Sequence, residues 1–291
     1  MVIVKISGGL GNQLFQFAFG AAIEDTFGYQ VKFDLREYNN KGTRNFDLDK
    51  FVDDLKVATN EEIEAKFNVF QKIRFQVFHW LGFPFGLKGL KYYLERNFSF
   101  DENVFELSDD IYLSGYWQCE KYFKDHRLMI LERIKIYDSN SSENRKYLKQ
   151  IRESNSVSIH VRRGDYVSNS KANSVYSICD LNYYNQAIQH LSSQFQDLKF
   201  FVFSDDMDWV RNNFSKFVNI ILVDVNFGDN AFEDLKLMSN CKHNIIANST
   251  FSWWAAWLNQ NSGKVVVAPN NWFNQKCRNT INLVPAEWHR I

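Results

Sequence analysis

The segment SIHVRRGDYV, residues 158–167, sets a histidine, two adjacent arginines and an aspartate at the end of an apolar run. Each guanidinium is a planar fork of donors suited to phosphate oxygens. A histidine or a carboxylate beside it can bond or move a proton. Side chains alternate along a strand, so Ser158, His160 and Arg162 share one face while Ile159 and Val161 take the other. His160 and Arg162 are therefore expected side by side at a strand rim, where Gly164 lets the chain turn. Three more polar clusters close apolar runs: Ser204-Asp205-Asp206, Asn248-Ser249-Thr250-Phe251-Ser252 and Gly8-Gly9-Leu10-Gly11-Asn12.

Each cluster has a structural reading beside its chemical one. Asp205 and Asp206 precede a short helical stretch; one is expected to cap it, which leaves the other to accept the ring N–H and amino protons of a guanine. A helix opening at Ser252 would offer backbone N–H groups and a positive dipole end to an anion, although Thr250 or Ser252 also suits a cap. With the arginines this makes a diphosphate site that needs no metal. Trp253, Trp254 and Trp257 read as core packing. The glycine turn has Leu14 where a dinucleotide fingerprint has its third glycine, and only Asp34 stands near the ribose acid's place. It reads as a close backbone approach to a sugar-phosphate through Gly9, Gly11 and Asn12.

These groups need a scaffold that brings strand ends together. From residue 157 onward, runs apolar at nearly every position (157–161, 200–203, 220–223, 244–247, 265–268) alternate with helical stretches at 181–195, 207–214, 231–239 and from 252. That pattern is a parallel sheet covered on both faces, in which ligands bind beyond the carboxyl ends of the strands. The first half opens alike, with a strand at 2–6, a helix at 13–26 and a strand at 30–33, then turns irregular through the aromatic stretch 69–93 and a charged helix at 120–136. The polar run 137–146 is the linker candidate. The expected architecture is α/β, with two Rossmann-like lobes (1–145 and 146–291), the second a doubly wound parallel sheet, and a ligand cleft between them.

Composition narrows the function. Lys+Arg and Asp+Glu both number 34 in 291 residues, so no global charge holds the chain on nucleic acid or an anionic membrane. The start MVIVKISGG is too short an apolar run for a signal peptide, and no run reaches the ~18 apolar residues of a membrane span. Cys119, Cys179, Cys241 and Cys277 form no CxxC pair, which points to a reducing compartment without a zinc site. A cytoplasmic protein is expected, at most peripheral at the inner face of the membrane. Residues 69–93 suit acceptor-domain core helices better than a membrane surface.

GGLGNQLFQ at 8–16, SIHVRRGDYV at 158–167, FVFSDD at 201–206 and EDLKLMSNCKHNIIANSTFSWWAAWL at 233–258 resemble the bacterial α-1,2-fucosyltransferases of glycosyltransferase family 11. The resemblance runs to about Phe273 and implies a GT-B-type fold. It also implies inverting transfer of L-fucose from GDP-β-L-fucose to O2 of a terminal galactose, in a glycan such as an O-antigen or capsule unit. No cofactor is implied: GDP-fucose is the donor substrate and no metal is required. By likeness to related fucosyltransferases, His160 and Arg162 would contact GDP, with Arg162 on the β-phosphate. Asp205 or Asp206 would read guanine, and Ser249 to Ser252 would hold phosphates. Asn12 matches an asparagine of the protein O-fucosyltransferases; Gly9 stands where those have an arginine, so that role does not carry over.

Departure of GDP loads charge on the β-phosphate, which assigns catalysis to Arg162 first and Arg163 second. Asp165 is the nearest candidate base for the acceptor hydroxyl, although holding an arginine fork suits it equally, and Asn12 could position that hydroxyl. Two rival readings remain. Asp206-Met207-Asp208 is formally a metal-binding DxD, and a non-catalytic sugar-binding protein could keep the fold.

Overall fold

The computed structural model describes residues 1–39, 44–67, 91–95, 98–164, 177–274 and 280–291. They form two compact units, Met1–Lys135 with Ile281–Leu283 and Ile136–Thr280 with Val284–Ile291. The expected linker at 137–146 contains the start of a helix, Ser142–Arg152, capped by the Ser141 side chain on the Asn144 N–H.

The first unit is built on a four-stranded parallel sheet of β1 (Val2–Lys5), β2 (Val31–Asp34), β3 (Tyr92–Leu94) and β4 (Tyr112–Ser114), in the order β2-β1-β4-β3. Helix α1 (Leu10–Phe27) connects β1 to β2, and its residues from Leu10 to Ile23 are buried almost without interruption. A helix apolar on every side belongs inside a domain; the two glutamines it buries, Gln13 and Gln16, therefore need partners. Gly28, at φ 66, stops it in the left-handed conformation that glycine adopts without strain. Helix α2 (Asn60–Glu64) opens with a capping box between Thr59 and Glu62.

The charged helix expected over 120–136 is broken. Two 3-10 turns precede a short α3 (Arg127–Arg133): Phe123, at φ -148 and ψ 2, leaves the helical conformation, and both Tyr122 and Phe123 are buried. Strands β3 and β4 escaped the sequence reading. Each is three residues long, too short to show alternation.

The second unit is the doubly wound sheet. Its strands are β5 (Asn155–Val161), β6 (Leu198–Ser204), β7 (Ile220–Leu222), β8 (His243–Ile245), β9 (Val266–Ala268) and β10 (His289–Arg290). All pairs are parallel and the order is β10-β9-β8-β5-β6-β7. Chain direction therefore reverses its march between β5 and β8, which makes their carboxyl ends the topological switch point. Helices α4 (Ser142–Arg152), α5 (Leu181–Ser192), α6 (Met207–Phe214), α7 (Phe232–Asn240) and α8 (Thr250–Leu258) cover it. Val157, Ile159 and Val161 pack with Tyr184 and Ala187 of α5 and Val210 and Phe214 of α6. Trp253, Trp254 and Trp257 of α8 are buried among themselves and Trp288, as core packing requires.

Among the described residues no helix is long and apolar enough to cross a membrane. Cys119, Cys179 and Cys241 are buried and unpaired with one another. Residues 68–90, most of the aromatic stretch, and Cys277 lie outside the described residues.

Candidate functional site

Strand β5 stays paired with β6 as far as Val161 and Ser204, but with β8 only as far as Ile159 and Ile245. Beyond that point the two strands at the switch part, and His160, Arg162 and the Asn248–Ser252 segment stand at the opening. The second-unit clusters singled out in the sequence are thus brought to one end of one sheet by its topology.

Arg162 Nη1 pairs with Asp205 Oδ2 at 2.9 Å, with about a quarter of either side chain exposed. The other oxygen of Asp205 accepts the Arg163 N–H at 2.8 Å. One carboxylate thus fixes the chain after β5 and the direction of the Arg162 fork. A Cβ at Gly164 would lie 2.7 Å from Asp205 Oδ2, so glycine is what lets that carboxylate close in. Arg163 faces another way, its guanidinium stacked 4.3 Å over the Trp209 ring and 3.4 Å from Asp206 Oδ2. A cation held on an indole face fixes α6 against β5, and leaves Arg162 as the arginine at the opening. Asp206 is the cap of α6, taking the Trp209 N–H at 3.1 Å. Asp208, the other half of the formal DxD, is 92% exposed and pairs with Arg211.

His160 is buried with its ring 5.7 Å from that of Phe251, and its Nδ1 has no hydrogen-bond partner among the described residues. Burial, helped by the Arg162 charge and opposed by Asp205, lowers its pKa to about 4. A neutral ring with one unused nitrogen at a ligand crevice is a polar group awaiting a partner. An unfolded histidine takes a proton near pH ~6.5, whereas this ring resists one down to about 4. Its contribution to stability is complete above the unfolded value and is lost as pH falls between the two. Replacing His160 with Ala is expected to flatten the acid side of the melting-temperature profile, which calorimetry across pH 4–7 reads.

The Asn248–Ser252 segment divides. Ser249 caps α8 by accepting the Phe251 N–H, and Thr250 and Phe251 remain partly exposed on the first turn. Asn248 and Ser252 have internal roles instead. Asn248 is fully buried, its amide donating to the carbonyls of Ser177 and Trp272. The Ser252 hydroxyl turns back to the carbonyls of Ala247 and Ser249. Asp165 lies outside the described residues.

In the first unit the glycine turn follows β1, next to that sheet's own switch between β1 and β4. Gly8, not Gly9, is the constrained glycine: its φ is 77, and a Cβ would meet Asn12 Nδ2 at 2.6 Å, whereas Gly9 faces open space. Asn12 Oδ1 accepts an N–H from Gln118 at 2.9 Å, and its Nδ2 lies against Gly8. Gln16 ties Ser7 to the Gly115 carbonyl, and Gln13 ties Gly8 to the 45–48 segment. No side chain caps α1. Asp34 serves Arg36 and Tyr112, which hold its pKa low against the effect of burial; it is not a ribose ligand in waiting. Gln13 and Gln16, the polar letters of GGLGNQLFQ, were the one sign in the sequence of this network.

Comparison with known proteins follows the same line. The whole chain, residues 1–291, matches the model of glycosyl transferase family 11. An α-1,2-colitosyltransferase of Escherichia coli is 35% identical over 298 residues, 100% of this chain and 99% of that protein. The galactoside α-(1,2)-fucosyltransferase 2 of Mus musculus is 32% identical over 156 residues, 50% of this chain and 44% of its own. In fold, the chain is similar to a mutant of Arabidopsis thaliana FUT1 solved with GDP, with a TM-score of 0.53 at 10% identity over 99% and 75% of the two chains. The two parallel sheets and that likeness make the fold GT-B-like.

Proposed function

The chain belongs to glycosyltransferase family 11, and from that premise we propose that it moves L-fucose from GDP-β-L-fucose to O2 of a terminal galactose, with inversion and without a metal. The observation that carries this reading is the end of β5. An arginine held by Asp205 stands beside a buried histidine nitrogen without a partner among the described residues, at the switch point of a nucleotide-binding-type sheet. Breaking the sugar's C1–O bond concentrates charge on the β-phosphate, and a donor preorganised there supplies rate directly. Arg162 takes that role, the partly exposed first turn of α8 adds amide donors, and His160 Nδ1 bonds the nucleotide.

The names of the relatives support a 1,2 linkage and leave two donor sugars in play, since colitose is L-fucose without its 3-hydroxyl. Independence from metal is supported by the DxD itself, whose aspartates are engaged separately, one on Arg163 and the α6 N-terminus, the other on Arg211. The test is GDP release in EDTA from GDP-fucose and from GDP-colitose, each with and without a β-galactoside. Acceptor-stimulated release from GDP-fucose is expected. Preference for GDP-colitose would change the sugar, recovery only with Mn²⁺ would end the metal-free reading, and GDP binding without turnover would favour a non-catalytic protein.

A further inference from the structure

Glu95 follows β3 and belongs to none of the clusters so far described. Its N–H bonds to the Ser114 carbonyl at 2.8 Å, extending the pairing with β4 to the carboxyl end of the first unit's sheet. Its Oε2 accepts two successive backbone N–H groups, from Tyr116 at 2.6 Å and Trp117 at 3.0 Å. Gly115 makes the close approach: a Cβ there would lie 2.7 Å from Oε2. The loop that donates these amides follows β4 and is tied to the turn after β1. Gln16 bonds both Ser7 and the Gly115 carbonyl, and Gln118 bonds Asn12. The carboxylate therefore stands at the carboxyl ends of β3 and β4, beside the switch between β4 and β1, which is where a parallel sheet takes a ligand.

The second oxygen is the informative one. Among the described residues Oε1 has no hydrogen-bond partner, and no cation pairs with the carboxylate. A carboxylate serving only to hold the loop would be complete with Oε2. The residue keeps partial exposure, and Tyr116, which supplies the first amide, is 41% exposed. An ionised acceptor with spare capacity next to an accessible phenol suits a sugar. Hydroxyl protons go to the carboxylate as charge-assisted bonds, and the C–H face of the sugar ring packs on the aromatic body.

We propose that this end of the first unit is a saccharide-binding site, in which Glu95 Oε1 accepts hydroxyl protons of a hexose and Tyr116 packs against its C–H face. The site is complete within the first unit. It rests on the transfer reading only for the choice of a β-galactoside as the sugar. Burial raises the Glu95 pKa to about 7 against the pull of the two amides. The titratable groups around it are Tyr93 on its own strand, with Asp101 beyond it, Tyr116, Cys119 with its neighbours Glu120 and Lys121, and Tyr122. Burial keeps the Cys119 thiol and the Tyr122 phenol neutral near pH 7. The ionised carboxylate is the stronger acceptor, so affinity for the sugar is full above pH about 7 and falls as pH drops below it.

The experiment is titration of the full chain with lactose, without GDP-fucose, by calorimetry and saturation-transfer NMR, for the wild type, Glu95→Gln and Tyr116→Ala. Wild-type affinity should fall about tenfold between pH 8 and pH 6. The glutamine carbonyl can still accept both amides, so Glu95→Gln should keep its melting temperature and GDP affinity. It should lose about tenfold or more in lactose affinity at pH 8, together with the pH dependence. Tyr116→Ala should bind lactose about three- to tenfold more weakly with the pH dependence intact. Lactose binding that is absent, flat in pH or indifferent to both variants overturns the proposal. If the glutamine variant folds poorly, the wild-type pH dependence and Tyr116→Ala decide, and either one at odds with these results refutes the site. Lactose bound in this pattern without any transfer from GDP-fucose would sink the transfer reading and leave the site standing. Transfer with a KM for lactose that neither variant moves sinks the site alone.

Discussion

Replacing Arg162 with alanine is expected to lower turnover about 10²–10³-fold, the usual loss when one preorganised donor to developing charge is removed, equivalent to ~3–4 kcal/mol. The fold should survive. The side chain is 23% exposed, and its partner Asp205 keeps the Arg163 N–H, so the change in melting temperature should be that of a partly solvated ion pair, about 1 kcal/mol or less. Lysine at the same position keeps the charge but not the planar fork and should recover only part of the loss. Asp205→Ala separates position from charge. It removes the group that aims Arg162 and should lower kcat by a smaller factor, with no effect on which sugar is transferred. Single-turnover rates with GDP-fucose at saturating acceptor read all three, and an Arg162→Ala enzyme near the wild-type rate would remove this residue from the chemistry.

The second unit was legible because its signals are local. Apolar runs at 157–161 and 200–203 lie inside β5 and β6, and the polar letters directly after them fall at the carboxyl ends because a parallel sheet leaves them nowhere else. Partnership was harder to read than place. HVRRGD and SDD were visible as two clusters; that Asp205 would hold Arg162 while Asp206 held Arg163 depends on the register that pairs Val161 with Ser204.

Glu95 shows the opposite case. In KYYLERN it looks like an ordinary charged surface residue, since the strand before it spans three residues and the amides that bind it come from positions 21 and 22 residues later. Gly115, where a Cβ would lie 2.7 Å from Glu95 Oε2, carries no motif. Gly8 was visible as part of a glycine turn, but only its φ of 77 and the Asn12 amide 2.6 Å from where a Cβ would lie distinguish it from Gly9. Local periodicity specifies elements; a site made by two loops meeting needs the fold.

Asn248 is where the chemical reading and the structure part furthest, and a stability measurement separates them. In NSTFS it reads as a phosphate ligand at a helix start, yet its side chain is 0% exposed and donates to Ser177 and Trp272, 71 and 24 residues away in sequence. Alanine would take the Asn248 donor from both carbonyls and leave that of Trp272, itself buried, with only the Ser177 N–H at 3.4 Å. Each such loss costs about 1–3 kcal/mol, so Asn248→Ala should destabilise the protein by about 2–4 kcal/mol. Aspartate, nearly isosteric, should be worse, because it replaces the donor with a charge facing two carbonyl oxygens. GDP affinity of the molecules that remain folded should be unchanged, whereas a ligand role would weaken binding with the melting temperature intact. Denaturant unfolding combined with GDP titration below the transition distinguishes the two. Unchanged stability with impaired GDP binding would return Asn248 to the phosphate site; the opposite result makes it the internal bolt that sets the start of α8 against the segment after β9.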